Sequence, residues 1–90
     1  MSEPLETRRK RLHFRSWHRG TKEADLLFGS FAERHLPEFG PEQIARYEAL
    51  LEVDDPDLFA WIMGRKPVPP EHDSDVFRLL LAFKYTARPA

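Results

Sequence analysis

The sequence has no cysteine, only four glycines and no long hydrophobic run. Because cysteine is absent, neither disulfide bonds nor thiolate metal sites can supplement the core, and stability has to come from packing. No apolar stretch approaches the ~20 residues of a membrane span, and the basic N-terminus lacks the apolar stretch of a signal peptide. We therefore expect a soluble protein with no direct membrane insertion.

Motifs typical of enzymes are also missing. The histidines do not have the spacing of metal ligands, and no serine or threonine lies in a recognisable motif with a base and an orienting acid. There is no Gly-rich phosphate loop. A chain of 90 residues buries only about 60 to 65% of the surface that its unfolded form exposes, so we expect a modest core without a large cavity. The protein is predicted not to be an enzyme.

The sequence instead contains five segments of helical periodicity and no sustained strand pattern. Their predicted ranges are about 5–18, 21–35, 41–53, 55–63 and 73–84. This pattern predicts an all-α fold, a compact bundle of five short helices. We expect one domain over residues 1–90, with frayed ends at about 1–4 and 86–90.

The apolar positions of these segments predict the core. In the second segment Ala24, Leu27, Phe28 and Phe31 recur at helical spacing and define a buried face. Gly29 in the same helix predicts the close approach of a neighbouring helix, since glycine otherwise only weakens a helix. The last segment is apolar almost all round, so we expect it to be the most deeply packed helix.

The first helix is basic and has only three large apolar residues after its first turn: Leu12, Phe14 and Trp17. Residues 1–22 hold seven Lys/Arg against two Glu, a balance of +5, whereas the rest of the chain has a balance of −6. A basic helix in a hairpin suggests an alternative function, an antitoxin-like or nucleic-acid-associated helical regulatory module. We do not expect nucleic-acid binding, because the basic residues spread around the helix and the acidic remainder repels a polyanion.

One charged turn lies between the first two helices, Arg19-Gly20-Thr21-Lys22-Glu23, and is followed by Asp25. Gly20 suits the left-handed conformation that ends a helix, and Glu23 complements the dipole of the next helix. Many helix hairpins show these features, so the turn by itself predicts architecture and not function.

A second notable segment is Asp54-Asp55-Pro56-Asp57-Leu58-Phe59-Ala60-Trp61. Its acidic residues and its proline are typical of a helix start. It is not a calcium loop, because the glycine and the distal glutamate of an EF-hand are missing, and we predict no metal site. Phe59 lies beyond the predicted buried stripe, which suggests that one aromatic stays partly exposed for a partner.

In this order and on a chain of this length, the two segments resemble the flavinylation factors of succinate dehydrogenase, the FAD assembly factors of bacteria and mitochondria. The resemblance covers roughly residues 8–84 and includes the stretch from Leu50 to Trp61 and the glycine–proline break after Met63. It implies a five-helix bundle that is not itself the catalyst. Such a factor binds the flavoprotein subunit of succinate dehydrogenase, and in bacteria that of fumarate reductase, and promotes covalent attachment of FAD to a histidine of that subunit.

The resemblance also implies the site. Arg19 is predicted to make forked hydrogen bonds to the flavoprotein, Gly20 to allow close backbone approach, and Glu23 to pair with a cation of the flavoprotein. The same partner-binding surface is predicted to include His18, Asp25, Asp55, Asp57 and Phe59. Because Arg19 and Glu23 are expected to be exposed, their removal is expected to leave the fold intact.

The remaining expectations concern cofactor, assembly and location. By the resemblance, we expect no cofactor stably bound by the chain itself, and a monomer when the chain is free. No long Arg/Ser-rich leader precedes the first helix. We therefore predict a bacterial cytoplasmic location over the alternative, the mitochondrial matrix of a eukaryote.

Overall fold

The computed structural model describes residues 3–87, with side chains described as far as residue 83. Within this range the chain forms five α-helices and no strand, which confirms the predicted all-α bundle. The helices are α1 (Leu5–Trp17), α2 (Lys22–His35), α3 (Pro41–Leu51), α4 (Asp55–Ile62) and α5 (Asp75–Ala87). Two short 3₁₀ turns, Leu36–Glu38 and Pro70–His72, follow α2 and precede α5. None of the helices in the described range is both long and apolar enough to cross a membrane.

The helix boundaries follow from local chemistry. Thr21 precedes α2, and its hydroxyl accepts a hydrogen bond from the N–H of Ala24 at 3.2 Å, so one unsatisfied donor of the first turn is paired. Asp54, and not Asp55, precedes α4. Gly64 follows α4 with φ of +77°, a left-handed conformation that glycine adopts without strain. The frayed ends predicted at about 1–4 and 86–90 lie mainly outside the described residues, and this expectation stays a prediction.

The core lies between α1, α2 and α3, with α4 and α5 closing it. The predicted inward face of α2 is confirmed, apart from Leu27, which is half-buried. The fully or almost fully buried apolar side chains are Leu12, Ala24, Phe28, Phe31, Ala32, Leu36, Phe39, Ile44, Tyr47, Leu50, Leu51, Leu58, Ile62, Val76, Phe77 and Leu80.

The prediction that the last helix is the most deeply packed is wrong. α5 packs against α3 and α2 along one stripe, and Val76, Phe77 and Leu80 in that stripe are buried. Leu79 and Leu81 are only half-buried. The physical reason is that α5 packs mainly against α3 and α2, so Leu79 and Leu81 touch the core but stay partly open to water.

Close packing of α1 on α2 is confirmed at Gly29. A Cβ atom built at this position would overlap the indole ring of Trp17, so only glycine leaves room for the ring. A buried hydroxyl pair reinforces the contact of α1 with α3: the oxygens of Ser16 and Tyr47 lie 2.6 Å apart, and Ser16 also donates to the carbonyl of Leu12 at 2.7 Å. Burial raises the pKa of Tyr47 far above its ordinary value, so this phenol stays protonated.

Candidate partner-binding site at two joined turns

The turn between α1 and α2 is held by the first turn of α2. Gly20 has φ of +121°, as the sequence predicted for a left-handed position. One carboxylate oxygen of Asp25 accepts hydrogen bonds from the backbone N–H groups of Arg19 at 2.6 Å and of Gly20 at 3.2 Å. Asp25 therefore stabilises the conformation of the turn from within the fold.

The side chain of Arg19 crosses from this turn to the turn between α3 and α4. Its Nε and Nη2 atoms donate to one carboxylate oxygen of Asp55 at 3.0 and 2.5 Å. Its Nη1 and Nη2 atoms donate to the carbonyls of Leu51 at 2.8 Å and Val53 at 3.0 Å. The guanidinium carbon also lies 5.3 Å from the centre of the Phe28 ring, within cation–π range. We call this arrangement the Arg19 clamp.

The clamp brings the two sequence motifs together, although Arg19 and Asp55 are 36 positions apart in the sequence. It also corrects one expectation. The side chain of Arg19 is only 10% exposed and that of Asp55 19%, so the prediction that Arg19 is an exposed group is wrong, whereas the effect of its removal on the fold stays a prediction. The reason is that the carbonyls at the end of α3 and the carboxylate at the start of α4 satisfy the guanidinium inside the protein. A direct contact of Arg19 with a partner stays a prediction.

Other residues of the predicted surface do point to solvent. Glu23 and Asp57 are exposed, and their side chains form no hydrogen bond or ion pair with another residue that the structure describes. Gly20 is exposed as well, with open space where a Cβ atom would lie. Phe59 is half-buried and meets the Phe28 ring edge to face at 6.3 Å between centroids. Of these four residues, Phe59 is thus the one that also serves the core.

A shallow depression of about 490 Å³ lies beside the clamp and is open to solvent. It is lined by four clamp residues and by three of their neighbours: Arg19, Leu51, Val53 and Asp55, with Glu52, Asp54 and Pro56. Among the described residues, no three His, Asp or Glu side chains converge in a way that could hold a metal ion. The site is therefore a surface shaped by two turns, with exposed carboxylates around it.

Basic side chains of α1 form ion pairs with acidic side chains at the end of α3 and just after it. The sequence did not predict this pairing. Arg8 pairs with Glu48 at 3.1 Å, and Arg15 pairs with Glu52 at 2.8 Å. Arg9 instead donates to backbone carbonyls after α2, at 3.0 and 2.7 Å. The signal was present in the spacing, because arginines 8, 11 and 15 recur about once per turn of α1 and the acids at 48 and 52 are one turn apart at the end of α3. Only the tertiary structure shows that these arginines and these acidic residues face each other.

These features define a class: a small all-α protein whose candidate site is an exposed pair of turns joined by a semi-buried ion pair. Comparison with known proteins gives the family. Residues 10–84 match the family described as "Flavinator of succinate dehydrogenase", so the match includes both turns and all five helices in whole or in part. The chain belongs to this family.

Individual relatives agree with the family match. The chain is 45% identical over 80 residues to succinate dehydrogenase assembly factor 2-B, mitochondrial, of Drosophila melanogaster, covering 87% of this chain and 51% of the relative. It is 44% identical over 80 residues to factor 2-A, mitochondrial, of Drosophila mojavensis, with the same coverage. The chain thus spans about half the length of these relatives.

The predicted bacterial cytoplasmic location is contradicted by these relatives. Both are named as mitochondrial proteins and come from Drosophila, so the similarity argues against a bacterial cytoplasmic location. The prediction depended on the absence of a leader before the first helix. That absence carries no information in a chain that spans only half of its relatives.

Proposed function

We propose that this chain binds the flavoprotein subunit of succinate dehydrogenase and promotes the covalent attachment of FAD to it, without catalysing a reaction itself. The observation that carries the proposal is the family match over residues 10–84, since this range includes both turns that the clamp joins. The relatives' names, which describe assembly factors of succinate dehydrogenase, support the same client enzyme.

The geometry of the site is suited to contact with the surface of another protein. Glu23 and Asp57 offer exposed carboxylates that can pair with cations of the flavoprotein. Gly20 offers a backbone that a partner can approach closely, because no side chain covers it. In this proposal Arg19 and Asp55 position the two turns relative to each other, and the exposed residues make the contacts.

Such binding can promote flavin attachment by orientation. The bound factor can hold the flavoprotein in the arrangement in which its own histidine meets the flavin. The reacting atoms are then aligned before the reaction begins. The chemistry then belongs to the flavoprotein and its FAD. Action on fumarate reductase, the absence of stably bound FAD on the free chain, and a monomeric free state stay predictions.

The nucleic-acid alternative is not favoured. It required the cations of α1 to be available for phosphates, whereas Arg8 is paired with Glu48 of α3 and Arg15 with Glu52, the residue after α3. A polyanion would have to displace these carboxylates and would then meet them as repelling charges.

The proposal is tested in cells whose only flavinylation factor is a variant of this chain. Glu23→Ala is compared with Glu42→Ala, because both glutamates are exposed and both occupy the second position of a helix, α2 and α3 respectively. Both variants should fold, with unfolding free energies within about 0.5 kcal/mol of the parent. Only Glu23→Ala should reduce covalent FAD on the flavoprotein, seen as weaker in-gel flavin fluorescence after denaturation.

A second matched pair tests the turn itself. Gly20 and Gly64 both have positive φ and open space around the missing Cβ atom. Alanine at either position should cost about 1 kcal/mol or more through backbone strain, yet only Gly20→Ala should reduce flavin attachment beyond its loss of stability. Normal attachment of FAD in cells that carry a folded Gly20→Ala, Glu23→Ala double variant would show that the turn is not part of the site. Failure of the parent chain to restore attachment would overturn the proposed function.

A further inference from the structure

The outer face of α1 carries an aromatic side chain that the core does not use. Phe14 is 63% exposed, more than any other large hydrophobic side chain in the part of the chain that the structure describes. The buried residues of α1 are Leu12 and Ser16. With 3.6 residues per turn, Phe14 lies about 200° around the helix from each of them. Its ring therefore points away from the core and contributes little to the stability of the bundle.

The ring is nevertheless held in a defined position. The imidazole of His18 stacks on it, with 3.9 Å between ring centroids and 17° between ring planes. His18 Nδ1 lies 2.7 Å from the backbone carbonyl of Phe14. Because a carbonyl oxygen only accepts, Nδ1 carries a proton and donates it to this carbonyl. Nε2, at the opposite edge of the ring, has no hydrogen-bond partner among the residues that the structure describes. The two stacked rings thus form a largely apolar surface without a partner, and such preorganisation lowers the entropy cost of binding.

The charge beside this surface indicates what it fits. Lys10 lies one helical turn before Phe14 on the same side of α1 and is exposed. It has no ion pair with any other residue in the described range, in contrast to Arg8 and Arg15 on the neighbouring side. We call Lys10, Phe14 and His18 the outer stripe. The stripe ends directly at Arg19-Gly20, so it continues the candidate site along α1.

We propose that the outer stripe is a second contact with the flavoprotein subunit, in which Phe14 enters an apolar pocket of that subunit and a carboxylate at the pocket's rim meets Lys10. The inference depends on the proposed function and adds the chemistry of the partner's surface to it. An exposed aromatic beside an unpaired cation is complementary to an apolar pocket bordered by negative charge. Phe14 is then the anchor of the interface, and His18 holds its ring in place.

The test is calorimetric titration of the purified chain into the purified flavoprotein subunit before FAD is attached. Phe14→Ala should weaken binding about tenfold or more, as expected for a buried aromatic anchor. Lys10→Glu should also weaken it, and this loss should shrink at high salt because the charge is near the rim. Phe14→Trp keeps an aromatic ring in the stack and should retain most of the affinity. Met63→Ala is the matched control, since Met63 is 51% exposed but lies beyond the far end of α4, and it should bind like the parent.

Folding is checked in the same experiment, and all four variants should keep their thermal midpoint within about 4 °C of the parent. Parent-like affinity of Phe14→Ala, with binding lost in Glu23→Ala, overturns the role of the stripe and leaves the proposed function in place. A parent chain that does not bind the flavoprotein subunit overturns both. If Phe14→Ala abolishes self-association of the chain but binds the flavoprotein normally, the stripe contacts a second copy and the proposal is wrong.

Discussion

Replacing Arg19 with alanine is expected to destabilise the fold as well as to impair partner binding. The substitution removes the hydrogen bonds to the carbonyls of Leu51 and Val53. It also leaves the carboxylate of Asp55, which is only 19% exposed, without its cation. The turn between α1 and α2 is then no longer tied by a side chain to the turn between α3 and α4.

The size of the effect follows from the burial of the pair. Breaking a buried ion pair by removing one partner costs about 3 to 5 kcal/mol, but water can enter next to side chains that are 10% and 19% exposed and solvate the remaining carboxylate. Each lost carbonyl bond contributes about 1 kcal/mol. We therefore expect Arg19→Ala to lower the free energy of unfolding by about 2 to 4 kcal/mol, a large share of the 5 to 15 kcal/mol or so that holds a typical domain. The thermal midpoint should fall by roughly 10 to 25 °C.

The assay is thermal and urea unfolding followed by far-ultraviolet circular dichroism. Arg19→Lys keeps the charge but not the forked donors, so its loss should be smaller. A double-mutant cycle with Asp55→Ala should give a coupling free energy of about 1 to 3 kcal/mol, while Glu23→Ala should unfold like the parent. An unfolding free energy of Arg19→Ala within about 0.5 kcal/mol of the parent would refute the stabilising role of the clamp.

Three further predictions concern packing and pH. Gly29→Ala should lower the free energy of unfolding by about 1 to 3 kcal/mol, because the added methyl group displaces the indole of Trp17, and a raised thermal midpoint would contradict this. Leu80→Ala empties a fully buried position and should cost about 2 to 5 kcal/mol in urea unfolding, whereas an unchanged midpoint would show that α5 is not packed as described. Burial, and then the charge of Arg34, lower the pKa of His35, with Glu38 opposing them. The unfolded chain therefore binds the proton more readily, and stability should fall as pH drops below about 6.5. His35→Gln should remove this part of the pH dependence, and identical pH profiles for the two proteins would contradict the assignment.

The helices and most of the core could be predicted from the sequence, because they depend on interactions between near neighbours. Ala24, Phe28 and Phe31, at helical spacing in α2, are buried as predicted. Thr21 and Gly64 mark helix ends through their own hydroxyl and backbone conformation. Phe14 shows the limit of the approach, since it is one of only three large apolar residues after the first turn of the first helix and is nevertheless 63% exposed. Periodicity counts apolar residues, but it does not say which side of a helix has neighbours.

The sequence by itself determined an all-α bundle, the left-handed turn at Gly20 and, through two ordered motifs, the family of the chain. Only the tertiary structure decided what Arg19 does. Whether a guanidinium faces a partner or its own protein depends on which carbonyls and carboxylates lie within about 3 Å of it, and its acceptors are supplied by residues 32 to 36 positions away. The pairing of the α1 arginines with α3 was decided in the same way. Charges far apart in sequence interact only once helix packing has brought them together.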